Sequence, residues 1–178
     1  MEITTDRLIL RRLQEADREA YFDMMSNANV MNPIPRPIMS REESDKSFDK
    51  HRVSDFTASD KIILATVRKD TKEFIGVSAF LTNDEGDPEI GYRLREQFWR
   101  VGFGTEIAHA LIDYGFQKMK SGIITADCCS TNAGSKKILG KTMRFSHEFW
   151  NEEDNCFDRR YVTSYEEWLN HRTTNLLY

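Results

Sequence analysis

Residues 98–120 read FWRVGFGTEIAHALIDYGFQKMK, and this stretch decides the fold. Gly102 and Gly104 stand one residue apart, and behind them Glu106, His109, Asp113, Gln117 and Lys120 recur every three or four positions. That spacing draws one narrow wet stripe along a helix over 105–120. Ile107, Ala108, Ala110, Leu111, Ile112, Tyr114, Gly115, Phe116 and Met119 cover the rest of the circumference, so the helix is expected to lie buried against a sheet. A helix start leaves several backbone N–H groups unpaired. Two readings of the glycines follow: a tight turn into a core helix, or a loop whose backbone approaches a ligand and whose amides favour a phosphate.

The residues just upstream sharpen this. In 88–94, PEIGYRL, Ile90, Tyr92 and Leu94 alternate with Glu89, Gly91 and Arg93, the period of a strand. Strand, short glycine loop and buried helix follow one another. The loop is neither a P-loop, since no Gly-Lys-Ser/Thr follows, nor a dinucleotide fingerprint, since Ile107 and Ala108 occupy the later positions.

EIGYRL, then FWRVGFGTEIAHALIDYGF, then Asn132-Ala-Gly-Ser135 resembles the acetyl-CoA-binding core of the GNAT superfamily of N-acetyltransferases, in the branch that acetylates the N-terminal amino groups of ribosomal proteins. The resemblance extends to Thr5-Asp6-Arg7-Leu8-Ile9-Leu10-Arg11 with Asp17 at the start and to 161–168 at the end. It implies a GNAT-like mixed, mostly antiparallel α/β sheet with helices on both faces. It also implies that the backbone of Tyr92, Arg93 and Leu94 pairs with the pantetheine arm of acetyl-CoA as with a surrogate strand. The amides of Val101, Gly102, Phe103, Gly104 and Thr105, with Arg100 beside them, would cradle the pyrophosphate. Asn132 and Ser135 match the family's Asn-x-x-Ser and would meet the pantetheine or the thiol region; Asn132 reads equally as a helix N-cap. Lys136 and Lys137 are candidates for the ribose phosphate, or form a solvated basic turn.

Composition narrows the classes. The 178 residues are 39% hydrophobic and 30% charged, which suits one globular domain spanning 1–178. No run approaches the roughly 20 apolar residues of a membrane span, and the N-terminus lacks a basic start and an apolar signal region. A cytoplasmic location and no membrane partner are therefore expected. The formal charge of −4 argues against DNA binding through general phosphate attraction. Cys128, Cys129 and Cys156 form no disulfide framework and match no zinc spacing, so reduced thiols and no metal are expected.

Along the chain, the spacing predicts a strand over 3–13 and a helix over 14–25. Pro33, Pro35 and Pro37 exclude a regular helix in 27–39, a connector that in the family overhangs the acceptor side. A Ser40–Glu43 capping box opens a helix over 41–53. Strands follow at 61–68 and 73–81, then a central strand at 122–128, a helix at 134–141, and strands at 145–150 and 156–164. The tail 170–178 carries no pattern and reads as loosely held. The exposed edges are compatible with a homodimer.

Acetyl transfer needs a neutral amine, and an ammonium with a pKa near that of lysine, roughly 10.4, must shed its proton. Glu89 is the carboxylate nearest the expected cleft and the candidate acceptor of that proton through a water; alternatively it pairs with Arg93 on the same face. Many GNAT enzymes carry a tyrosine four residues after the position of Ser135. Here that residue is Leu139, which leaves Ser135 as the candidate acid. The segment 141–145 lacks the glycine that the family places just before the corresponding Met or Phe (here Met143 or Phe145), so the turn after the last family helix is expected to differ or to be one residue shorter. The acceptor is an amine: a protein N-terminus, a polyamine or another small amine. The rival readings are a non-catalytic CoA-binding sensor of the same fold, and a glycine loop serving some other phosphorylated ligand.

Overall fold

The computed structural model describes residues 1–53 and 61–175. Eight strands form one sheet: β1 (Ile3–Thr4), β2 (Leu8–Arg11), β3 (Ile62–Arg68), β4 (Phe74–Thr82), β5 (Pro88–Leu94), β6 (Ile123–Cys129), β7 (Arg144–Asn151) and β8 (Cys156–Ser164), in the order β1-β2-β3-β4-β5-β6-β8-β7. Neighbours are antiparallel except β5 and β6, which run parallel. Helices α1 (Arg18–Met25), α2 (Ala28–Met31) and α3 (Arg41–Arg52) cover one face; α4 (Phe103–Gln117), α5 (Ala133–Thr142) and α6 (Tyr165–Asn175) cover the other. The mixed, mostly antiparallel α/β sheet expected from the sequence is the observed fold.

Helix α4 buries Ile107, Ala108, Leu111, Ile112 and Phe116 against Leu8, Leu64, Ile90 and Ile124. Full burial of each large apolar side chain contributes roughly 1.5–3 kcal/mol, so this face is the main fastening of helix to sheet. Gly115 is needed there because a Cβ would come within 2.5 Å of Ile124 Cδ1. On the opposite face Tyr21, Met24, Met25, Val30, Met31 and Phe48 pack on Ile63, Ala65, Val67 and Ala79.

Four expectations change. The strand expected over 3–13 is two short strands, β1 and β2, because Thr5 turns the chain and receives the Leu8 amide on its hydroxyl at 2.9 Å. A four-residue helix, α2, forms just before the prolines, capped where Asn27 Oδ1 accepts from Asn29 N at 2.8 Å. Met119 lies beyond the end of α4 and is 41% exposed rather than buried. A helix over Tyr165–Asn175 forms where no element was expected: Ser164 and Glu167 form a reciprocal cap at 3.2 and 2.8 Å, and Trp168 stacks on Phe116 at 5.3 Å while donating to Asp113 at 2.6 Å; of the tail expected to be loosely held, 176–178 lie outside the described residues. The Ser40–Glu43 box forms as expected at the start of α3. The missing glycine before Met143 is absorbed without a left-handed residue, since Met143 is extended (φ −143°) and leads directly into β7.

Candidate functional site: a gap in the sheet

The parallel pair β5 and β6 meets at one register position, Glu89 opposite Thr125. The contact is pinned by Thr125 Oγ1, which donates to Pro88 O at 3.1 Å and accepts from Asn83 Nδ2 at 3.2 Å. Beyond it the strands part. The outer edges of β5 and β6 are paired along their lengths to β4 and β8, while the inner edges of 91–94 and 126–129 have no partner strand. An unpaired strand edge in a protein interior invites strand addition by an extended ligand. A cavity of about 1170 Å³ fills the gap and takes lining from both faces of the sheet.

On the α4 face the gap is bounded by Tyr92, Cys128, Asn132, Ser135 and Leu139. Asn132 caps α5, its Oδ1 accepting from Ser135 N at 3.0 Å, and this positions Ser135 at the rim. The Tyr92 hydroxyl is buried and has no formed hydrogen bond; Ser135 is near enough to ease charge on it without the geometry of a bond. Burial pushes the phenol well above its ordinary pKa, so it is held as a neutral donor. The Cys128 thiol is likewise pushed up to about 12 by burial and nearby carboxylates.

The glycine loop lies at the same end of β5. Arg100 (φ 65°) and Gly102 (φ 88°) take left-handed conformations, and α4 starts at Phe103. Gly104 has a packing role, since a Cβ there would come within 2.6 Å of Ile138 Cδ1 on α5. The sequence did not single out Arg7, whose Nη1 donates to Val101 O at 3.0 Å and whose guanidinium lies 4.6 Å over the Phe103 ring while pairing with Glu106 at 2.6 Å. It lashes the β1–β2 turn to the loop. Thr105 and Glu106 lie in the first turn of α4, and Lys137 projects into solvent from α5.

On the other face Glu89, Gly91 and Arg93 line the cavity with Tyr21, Asp127 and Asp158. Burial pushes Glu89 up to about 7, reinforced by the Asp127 carboxylate and opposed by Arg160. Arg160, with a side chain 4% exposed, binds Asp127 at 2.7 Å, Asp84 at 2.9 Å and Glu85 at 2.8 Å, tying the β4–β5 turn to β6 and β8. Glu89 and Arg93 share a face but do not pair; Arg93 Nη1 approaches Met25 Sδ at 3.0 Å. Asp127 and Arg160 escaped the sequence reading, because only strand pairing sets them opposite each other.

The fold also gathers Cys129, Cys156 and Asp158, whose ligand atoms lie within 4.8 Å of one another, a cluster that the cysteine spacing did not reveal. The thiols are spoken for by hydrogen bonds: Cys156 donates to Asp158 at 3.4 Å, and Cys129 meets Thr131 at 3.1 Å. Among the described residues no helix is long and apolar enough to cross a membrane.

Comparison with known proteins gives this gap a context. The chain is 32% identical over 148 residues to the uncharacterized N-acetyltransferase YoaA of Bacillus subtilis (strain 168), covering 82% of this chain and 83% of that one. A GNAT-family acetyltransferase from Bacillus anthracis superposes with a TM-score of 0.81 at 24% identity, over 94% of this chain and all of that one (100%). RimL, a ribosomal-protein alpha-N-acetyltransferase in complex with coenzyme A, superposes with a TM-score of 0.76 at 16% identity, over 94% of this chain and 99% of that one. Residues 7–142 match the family model "Acetyltransferase (GNAT) domain", so the chain belongs to the GNAT family of N-acetyltransferases.

Proposed function

We propose that this N-acetyltransferase moves an acetyl group to a primary amine by direct attack within a ternary complex, with Glu89 as the proton acceptor. One observation carries the reading: the sole carboxylate on β5 is half-buried at the vertex where the sheet opens, with its pKa pushed up to about 7. A base poised near the working pH combines a useful fraction of the charged form with real driving force for proton removal.

Acetyl-CoA supplies the activated thioester. The chain's own groups fit it: the free inner edge of Tyr92, Arg93 and Leu94 offers main-chain N–H and C=O groups to an extended amide-bearing arm. The left-handed turn at Arg100 and Gly102 precedes the unpaired amides of Phe103, Gly104 and Thr105, which face an anion favourably. Asn132 orients Ser135. Attack forms a C–N bond and breaks the C–S bond; Glu89 takes the proton that the nitrogen sheds. Ser135 and the neutral Tyr92 hydroxyl line the gap together and would donate a proton to the departing sulfur, Tyr92 supplying from β5 a phenol that the family otherwise brings from the position of Leu139. The wall containing Glu89 belongs to the acceptor amine, whether a protein N-terminus or a small amine.

The test couples binding to chemistry. Acetyl-CoA and CoA should each raise the apparent stability of the folded chain, by about 2.7 kcal/mol at a hundredfold excess over Kd. An amine screen read by thiol release should then find turnover that Glu89→Gln suppresses while CoA affinity persists. Full turnover in that variant sinks the assignment of Glu89, and CoA binding without turnover of any amine favours a sensor role.

A further inference from the structure

The acceptor wall is bipolar. One end is acidic, with Glu89, Asp127 and Asp158 set against Arg160. The other end gathers Arg93, Lys61 and Arg36, close enough for each charge to disfavour the next, and its carboxylates Glu153 and Asp154 are engaged by Arg36 and not by Arg93.

Arg93 is the distinctive group. Its Nε is buried with no hydrogen-bond partner, its Nη1 reaches a thioether sulfur at 3.0 Å, and among the described residues it forms no ion pair. Burial lowers its pKa, with Arg36 adding to the fall and Tyr21 and Asp154 opposing it, so desolvation outweighs the distant carboxylate. An unpaired buried charge is strongly unfavourable, and a guanidinium is built to receive a carboxylate or phosphate on two parallel N–H donors. Glu89 and Arg93 leave the same face of β5 four residues apart, about 13 Å between Cα atoms at the rise of a strand. Two side chains and a small ligand fill that span. Arg36 ties the proline segment to the β7–β8 turn through Glu153 at 3.0 Å and Asp154 at 2.7 Å, joining two walls of the cavity across its acceptor side.

We propose that the acceptor is a small amine carrying its own anionic group, a carboxylate or a phosphate, received by the Arg93 guanidinium while its amine faces Glu89. The proposal rests on the acetyl-transfer reading above and names the substrate class of that site. It sets the protein apart from a polyamine acetylase, whose substrate would place a second cation against Arg93.

The test is equilibrium binding by titration calorimetry to the full chain saturated with CoA, using amines that differ in the anion alone. Leucine is paired with isopentylamine, and phosphoethanolamine with ethylamine. At least one anion-bearing member should bind roughly tenfold tighter than its partner, and the pair that responds identifies carboxylate or phosphate. Arg93→Met should bring that preference below about twofold, while Arg93→Lys should keep part of it, which separates lost charge from a damaged fold. No preference in either pair, a preference that survives Arg93→Met, or tighter binding of spermidine than of both anion-bearing amines would overturn the proposal. Thiol release is measured separately: its absence with every amine sinks acetyl transfer, whereas the anion preference stands or falls on the calorimetry.

Discussion

The two walls of the gap are built by different means. The wall on the α4 side is assembled from neighbours in sequence: β5, the loop 95–102, the start of α4 and the cap at Asn132. Its offering is main-chain N–H and C=O groups, so its chemistry depends on strand edge, turn and helix start. The acceptor wall draws side chains from α1, α3, β3, β5, β6, β8 and the proline segment, and its offering is charge. A ligand common to a family can be held by backbone, which tolerates drift in side chains. A ligand particular to one member has to be recognised by side chains brought together from afar.

The largest effect expected from this contrast is at Glu89. Glu89→Gln should lower kcat about 10²–10⁴-fold, the ordinary range for a general base, with CoA affinity retained. Wild-type kcat/KM should rise with pH through a single ionisation near 7, because the protonated carboxyl accepts nothing; the variant should lose that limb. The folded-state pKa lies above the value of 4.5 for the free side chain, so the stability tied to this group is fully present below pH 4.5 and is lost as pH rises through 7. At pH 8 Glu89→Gln should therefore be the more stable protein, by something on the order of 2 kcal/mol in chemical denaturation. A variant that is both inactive and less stable at that pH would break the assignment.

Next comes the fastening of the acceptor wall. Arg160→Met should destabilise by about 3–5 kcal/mol, since Asp127 is left part-buried without its partner and the β4–β5 turn loses Asp84 and Glu85 as anchors. Equal stability of this variant and wild type would mean that the three carboxylates relax into solvent and that the vertex of the gap is held by Thr125 alone.

This contrast also explains what the sequence made legible. The alternation of 88–94, the wet stripe of α4 and the Ser40 box are local patterns; the strand and the box formed where expected, and the stripe holds from Glu106 to Gln117 but not to Lys120, which lies past the helix end. Helix α6 was missed: Ser164 and Glu167 stand three residues apart as a capping pair, but the apolar contacts are concentrated at Trp168 and the stripe is faint. Asp127, Arg160 and Arg7 were not legible. Each acts through a partner 33 to 99 residues away, and only the register of the sheet or the docking of a turn on a helix brings them together. Glu89 could be named as a candidate because a carboxylate on a strand beside the expected cleft is visible locally, whereas the burial and the Asp127 carboxylate that raise its pKa are not.

On the backbone-built wall a smaller effect is expected. Gly102→Ala meets no crowding worse than Arg7 Nη2 at 3.4 Å, but it forces a Cβ onto φ 88°, a penalty of roughly 1–2 kcal/mol. The loop would relieve that strain by shifting, so CoA affinity should fall more than amine affinity. A drop confined to the amine would place the loop on the wrong wall.

The smallest change in stability, and the sharpest test of how the two walls meet, is at Tyr92. Its hydroxyl is buried without a formed hydrogen bond, a state that costs about 1–3 kcal/mol for a typical polar group, so Tyr92→Phe should leave stability unchanged or raise it by up to about 1 kcal/mol. A residue kept at that expense beside Ser135 is explained if the hydroxyl is satisfied during turnover. Groups acting as one unit are non-additive when removed. If Tyr92 and Ser135 pass one proton to the departing sulfur, Tyr92→Phe and Ser135→Ala should each slow turnover, and the double variant should be no slower than the worse single one. Multiplying losses would mean two independent roles, with Ser135 acting at the pantetheine and Tyr92 alone at the sulfur. No loss in Tyr92→Phe would leave the phenol as packing against Gly104 and α4 and return the donor role to Ser135.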